Sequence, residues 1–257
     1  LNQDTCVLGR SLAFLPTKNK EENQMRAIKK WVVCCLVAAF IWIGAPEVVS
    51  RKSDDITFQV EASCKAPCIP VGAMVGPINA EMADGLEKFL ASAKKSKAVA
   101  VVIGIASPGG DFMASKRIFD TIKASPVPVH CYVQGMAASG AFWALQACTT
   151  RNVDPKAVLM AHTPRATFHG TVVVNKAAAY FLLEQLISRE AQMVHDLAPR
   201  MEMEESAMIQ KFNEGDWVMT PEEAVAAKAI DSIESKGFGS YLETVTSKYR
   251  NQKWRRN

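Results

Sequence analysis

No internal repeat and no low-complexity segment runs through this sequence, so neither a stacked-repeat architecture nor a compositionally biased chain is expected. A large excess of one charge is also missing. Thirty Lys and Arg face 26 Asp and Glu, a net charge of +4, too small to mark a nucleic-acid-binding surface by itself. The excess gathers at the ends. Arg26, Lys29 and Lys30 flank the first apolar run, and Lys248, Arg250, Lys253, Arg255 and Arg256 crowd the last ten residues. That last stretch holds only Tyr249 and Trp254 as aromatics. It reads as a solvated, frayed terminus, and no nucleic-acid partner is expected. Cys64-x-x-x-Cys68 looks like half of a metal site, but no matching Cys/His pair follows. Zinc is therefore not expected, and nothing calls for a cofactor. Histidine is scarce, with four in 257 residues, which narrows the choice of a catalytic base.

What is present is an ordinary globular balance, 49% apolar and 22% charged. The longest uncharged apolar run is WVVCCLVAAFIWIGA, Trp31 to Ala45, preceded by Met25-Arg-Ala-Ile-Lys-Lys30. A short basic stretch before about fifteen apolar residues reads as the first two regions of a secretory signal. Small residues at Gly44, Ala45 and Ser50 offer cleavage positions, though no clean A-x-A site is present. Extended to Val49 the run reaches nineteen residues, near the lower limit for a span. Residues 25–50 are thus expected to be a signal peptide or membrane anchor, with membrane association through 31–49. A periplasmic or extracytoplasmic location follows. Residues 1–24 precede Met25 and have no clear period, so they are expected as an unstructured upstream segment. Cys64, Cys68, Cys131 and Cys148 follow the signal region, and four cysteines in an exported chain allow three pairings. A 131–148 bridge is one hypothesis, and burial as small apolar side chains is the plain alternative.

Residues 51–235 read as one domain, followed by a basic tail over 236–257. Ile56–Val60 and Ile69–Val75 look like short strands. Asn79–Ala93 has apolar residues at helical spacing, with Asn79 as N-cap. Ala98–Ala106 is apolar throughout, as a buried parallel strand should be. Ser107-Pro-Gly-Gly110 breaks it, and a helix follows over Met113–Lys123. Strands are expected at Val127–Val133 and Ala157–Ala161, and Gly135–Ala147 starts with small residues and becomes a helix. Later helices are expected over Val174–Ala198, Glu204–Phe212 and Pro221–Ala227, and Ile230–Ile233 closes the domain. The alternation implies an α/β fold with parallel strands. Ligands bind such sheets at the carboxyl ends of the strands, where both glycine-rich turns lie.

Gly135-Met-Ala-Ala-Ser-Gly140 is the centre of the functional reading. A serine between a strand and a helix, among tiny side chains, suits a nucleophile. The plain alternative is an N-cap serine. His162 ends an apolar strand, and neutral imidazole is the usual base for a serine. His130, His169 and His195 read as polar surface residues. Asp216, read as lying in a turn between two helical segments, is the candidate to orient the imidazole, with Glu214 as a weaker rival and turn capping as the alternative. Two glycines after a strand turn a backbone N–H into the cleft, so Gly110 and Gly140 are candidate oxyanion donors.

SPGGDFMASKRIFDTI, GMAASGAFWALQA, AVLMAHTP and EGDWVMTPEEAVAAKAIDSI, in that order, resemble the blocks of the Clp protease proteolytic subunit, ClpP. The resemblance spans Val71 to Ile233. It implies a ClpP/crotonase-like repeated β-β-α spiral with largely parallel sheets and a protruding long helix that pairs subunits into a homo-oligomer. It implies a serine endopeptidase acting on polypeptide, with Ser139 as nucleophile, His162 as base, Asp216 as the third member, and an oxyanion hole from Gly110 and Gly140. The family usually has Met after the serine, and here Gly140 stands there. That resembles the signal peptide peptidase A type, whose dyad uses a lysine. Lys176 is the available lysine, but its spacing to TPEEA is too long. The alternatives are a crotonase-type acyl-CoA enzyme, which normally has Gly where Ser139 stands, and a catalytically inactive scaffold. The expected substrates are unfolded or membrane-proximal polypeptides.

Overall fold

A computed structural model describes residues 59–60, 68–168, 170 and 172–253. The chain divides between Lys52 and Ser53, and all described residues lie in the second part. The segments read as upstream residues and signal, 1–24 and 25–50, fall outside them. Among the described residues no helix is long and apolar enough to cross a membrane.

The main sheet starts at β1 (Gln59–Val60), antiparallel to β2 (Val71–Val75). It continues in parallel through β3 (Val101–Ser107), β4 (Val129–Ala138), β5 (Thr150–Val153) and β8 (Ser232–Ile233). Val101, Val102, Ile103 and Ile105 of β3 are all buried, because side chains pointing to either face meet a covering layer. One face is covered by α1 (Ala80–Lys95) and α2 (Phe112–Lys123). Both helices start where a side chain satisfies an otherwise unpaired N–H. Asn79 Oδ1 accepts from Met82 N at 2.9 Å, and Asp111 Oδ1 from Ala114 N at 2.8 Å. The α/β class and the largely parallel sheet are as expected.

β4 is longer than its expected Val127–Val133 and divides its partners. His130–Val133 pair with β5, and Met136–Ala138 pair with β6 (Val158–Ala161). Between the two pairings sits Gly135, at φ +87°, where an added side chain would meet no atom within 4 Å. Backbone conformation, not space, reserves that position for glycine. The segment read as small residues that become a helix continues β4 to Ala138, and the helix α3 runs from Gly140 to Gln146, as a serine that opens a helix requires. Small residues carry no period that separates strand from helix, and the β6 ladder decides for strand. β7 (Trp217–Met219) then adds antiparallel to β6.

Beyond β6 come α4 (Lys176–Leu197), a 3-10 turn (Ala198–Met201), α5 (Glu205–Asn213) and α6 (Pro221–Ala226). Thr220 and Glu223 close a capping box on α6. Only Met193, Val194 and Leu197 of α4 are buried, while Tyr180, Phe181, Leu183 and Ile187 are exposed. This is the long helix the resemblance implied. The hypothesised Cys131–Cys148 bridge is formed, with Cα atoms 5.9 Å apart, and ties β4 to the end of α3.

The C-terminus differs from the frayed tail read from its charges. Gly237–Lys253 is a helix, α7, and it covers the second face of the sheet. Tyr241 and Val245 are buried there against Val102 and Tyr132, with the Tyr132 and Tyr241 rings stacked at 5.3 Å. His130, read as a surface residue, is 1% exposed beneath this helix. Its Nδ1 meets Thr150 Oγ1 at 2.7 Å and its Nε2 meets Tyr249 Oη at 2.8 Å. Burial, aided by the Lys248 charge, pushes its pKa from 6.5 down to about 4. Above pH 6.5 His130 is neutral whether folded or not and costs nothing. As pH falls from 6.5 towards 4 the unfolded chain takes a proton that the folded one refuses. We expect stability to drop over that window by about 3 kcal/mol through this residue. Urea midpoints against pH check this, and His130→Gln should flatten the slope.

Candidate active site

Ser139 sits between β4 and α3 with φ +55° and ψ −124°, a backbone setting that a residue with a side chain rarely adopts. Its N–H donates to Met160 O of β6 at 2.8 Å, and its carbonyl accepts from Trp143 N at 3.1 Å. These two bonds clamp the turn from both sides. The Ser139 side chain makes no capping bond to α3, so the N-cap alternative does not hold. The half-buried hydroxyl is left for other work.

Two strand registers bring the other candidates to the same edge. Ala138 pairs with Met160 in parallel, so Ser139 and His162 leave adjacent strand ends. Ala161 pairs with Trp217 antiparallel, so Asp216 stands across from His162. The sequence reading put Asp216 in a turn between helices, whereas it leads into β7. No hydrogen bond joins Ser139 to His162 or His162 to Asp216. His162 Nδ1 lies 2.5 Å from the Thr163 carbonyl, to which it can only donate. That leaves the Nε2 lone pair free to accept. Asp216 is paired with Arg165 instead.

Gly109 and Gly110 lie against the Ser139–Gly140 turn. Ile78 bridges Gly110: Ile78 N donates to Gly109 O at 2.8 Å, and Asp111 N to Ile78 O at 2.9 Å. In such a bridge the central residue's own N–H points away from its partner strand. Gly140 opens α3, so its N–H has no carbonyl a turn earlier. A Cβ at Gly140 would lie 3.7 Å from Gly110 N, which places the two donors side by side. A Cβ at Gly110 would overlap the Ile78 backbone, and one at Gly140 would overlap Ser115 Oγ. Gly109, at φ +85°, is held as closely, since its Cβ would fall 2.7 Å from both Gly140 N and Ser139 Cβ. Ser107 Oγ accepts from Gly109 N at 3.1 Å and fixes the loop.

The lesser candidates fall away. Lys176 is exposed at the start of α4, with Nζ 5.7 Å from the Tyr180 ring centre. Glu214 pairs with Lys211 at 2.7 Å. His195 meets Glu205 at 3.0 Å on the surface, and His169 lies outside the described residues. Sequence reasoning missed Gly109, Ser115 and Arg165. The second residue of a PGG turn was a legible signal for Gly109, but nothing local marks the other two.

The family described as Clp protease matches residues 72–237 of the chain. Among solved structures, a point mutant of ClpP1 from Listeria monocytogenes aligns with a TM-score of 0.57 and 21% identity, over 64% of this chain and 91% of that one. At that identity the likeness to the solved structure concerns the fold.

Proposed function

The chain belongs to the Clp protease family, and on that premise we propose that it is a serine endopeptidase of unfolded or membrane-proximal polypeptides. Ser139 attacks the scissile carbonyl, and His162 Nε2 takes its proton and returns it to the leaving amine. Water then hydrolyses the acyl-enzyme with His162 again as base. The N–H groups of Gly110 and Gly140 bind the oxyanion. Asp216 orients His162 and stabilises the imidazolium. The observation that carries the reading is the setting of Ser139. It is an uncapped hydroxyl on a strained strand-to-helix turn, one residue from an N–H that neighbours a second glycine N–H.

Two further proposals attach to it. The chain works as a homo-oligomer, which the exposed Tyr180, Phe181, Leu183 and Ile187 of α4 favour. It works outside the cytoplasm, in the periplasm or anchored to the membrane through 31–49. The basic-then-apolar segment 25–50 supports this, and so does the Cys131–Cys148 bridge, since such bonds persist in oxidising compartments.

Labelling of the full chain with a fluorophosphonate, alongside Ser139→Ala and His162→Ala, tests the reading. Labelling of the wild type that both variants lose is expected. A folded wild type that does not label, in oligomeric form, would remove the peptidase assignment and leave a scaffold. Binding of coenzyme A in place of labelling would favour the acyl-CoA alternative.

A further inference from the structure

Asp216 and His162 stand across from one another in the β6–β7 register, yet each hydrogen-bonds elsewhere. Asp216 Oδ1 takes the guanidinium of Arg165, three residues beyond His162 on the chain leaving β6. His162 Nδ1 donates to the Thr163 carbonyl at 2.5 Å. A backbone carbonyl fixes the imidazole tautomer as well as a carboxylate does, so Nε2 already carries the lone pair of the base. It does not supply the negative charge that stabilises an imidazolium. The two arrangements therefore differ in basicity, not in which nitrogen accepts.

Resting on the serine-peptidase reading, we infer that Arg165 is a positioning residue that competes with His162 for the Asp216 carboxylate, so the chain exchanges between a latched form with Asp216 on Arg165 and an armed form with Asp216 on His162 Nδ1. Both partners of the latch are open to water, with side chains 58% and 40% exposed. The charges next to Asp216 in the chain, at the end of α5, are engaged with each other: Glu214 and Lys211 pair at 2.7 Å, and Lys211 Nζ lies 5.8 Å from the Trp217 ring centre. Arg165 is thus the cation committed to Asp216. An exposed ion pair is weak enough to exchange and sensitive to salt. The latch is accordingly shallow, and a substrate strand or a neighbouring subunit that engages Arg165 would free the carboxylate.

The test compares the full-length wild type with Arg165→Gln, Asp216→Asn and the double variant. Arg165→Gln is expected to raise the fluorophosphonate labelling rate about two- to fivefold, the range open to an exposed ion pair. The freed carboxylate is then available to stabilise the imidazolium that forms on His162. The acid limb of the rate profile then moves to higher pH. Added salt should speed the wild type and leave Arg165→Gln unchanged. In the Asp216→Asn background, Arg165→Gln should have no effect on either readout. Titration of the His162 ring by NMR reads the exchange without any activity. An unchanged His162 titration in Arg165→Gln, or an equal salt response in both proteins, would overturn the latch whether or not the chain labels. Absence of labelling in all four proteins with a shifted His162 titration would instead overturn the peptidase reading and leave the latch standing.

Discussion

Gly140→Met is expected to slow turnover by about 10²- to 10³-fold, and Ser115→Gly in the same chain to recover most of the loss. The family resemblance calls for Met after the nucleophile, so the substitution restores a pattern and yet should fail. Gly140 is not held by its backbone angles, since it is absent from the positive-φ positions. It is held by space. A Cβ there would overlap Ser115 Oγ and fall 2.8 Å from Ser115 Cβ. Ser115 cannot yield, because it is fully buried in α2 and donates to Asp111 O at 2.7 Å. The only relief is for α3 to move away from α2. The other donor does not follow, since Gly110 is bridged to Ile78. The two N–H groups would part, and losing one oxyanion donor costs about 3 to 4 kcal/mol of transition-state stabilisation. Ser115→Gly opens the space at the expense of one hydrogen bond and about 1 kcal/mol of helix propensity. Rates of acyl-enzyme formation for wild type, both single variants and the double variant check this, with thermal melts to follow folding. Equal rates for Gly140→Met and wild type would mean that α3 is free to shift.

The positions that were easy and hard to read from sequence divide on physical grounds. α1, α2 and β3 were legible because their signals are local: a capping residue, a 3.6-residue period and an unbroken apolar run rich in Val and Ile. Ser139 and Gly110 were legible as candidates because each ends a strand at a glycine-rich turn. The second half of β4 was not, because Gly135 to Ala138 fits helix or strand, and a ladder with residues twenty positions away chose between them. The partner of Asp216 was hidden for the same reason. The β6–β7 register that sets it opposite His162 joins segments more than fifty residues apart, and no local pattern points Arg165 at it. α7 was misread because Lys248 and Arg250 lie on the solvent side, while the apolar face of Phe238, Tyr241, Leu242, Val245 and Tyr249 is sparse in a charged sequence. His130 shows how little residue type says about burial: the same imidazole that reads as a surface group is satisfied at both nitrogens under that helix.

Asp231→Ala is expected to cost about 3 kcal/mol of stability, more than a surface charge usually commands, because of what it leaves behind. Arg151 of β5 has a side chain only 5% exposed. Its Nη2 meets Asp231 Oδ1 at 2.6 Å, and its own backbone N–H donates to Asp231 Oδ2 at 2.7 Å. Nη1 donates to Gln146 Oε1 at 2.7 Å and to the Lys228 carbonyl at 2.8 Å. One guanidinium therefore ties the end of α3 to the loop that enters β8. Burial alone would raise the Asp231 carboxyl, but the Arg151 hydrogen bonds outweigh it and hold the pKa below the ordinary value. Arg200 lies close enough that burial and the Arg151 charge push its pKa down, with Asp231 opposing. Without the carboxylate, two cations face each other and one of them is buried. Removing one member of a buried pair costs about 3 to 5 kcal/mol, and the lower end applies because the Asp231 side chain is 38% exposed and water can enter. Equilibrium unfolding in urea measures the loss. Arg151→Met combined with Asp231→Leu should be less destabilised than Asp231→Ala alone, since the stranded charge is then gone. A loss under about 1 kcal/mol for Asp231→Ala would mean that Gln146 and the Lys228 carbonyl suffice to hold the guanidinium, and that the pair contributes no more than an exposed one.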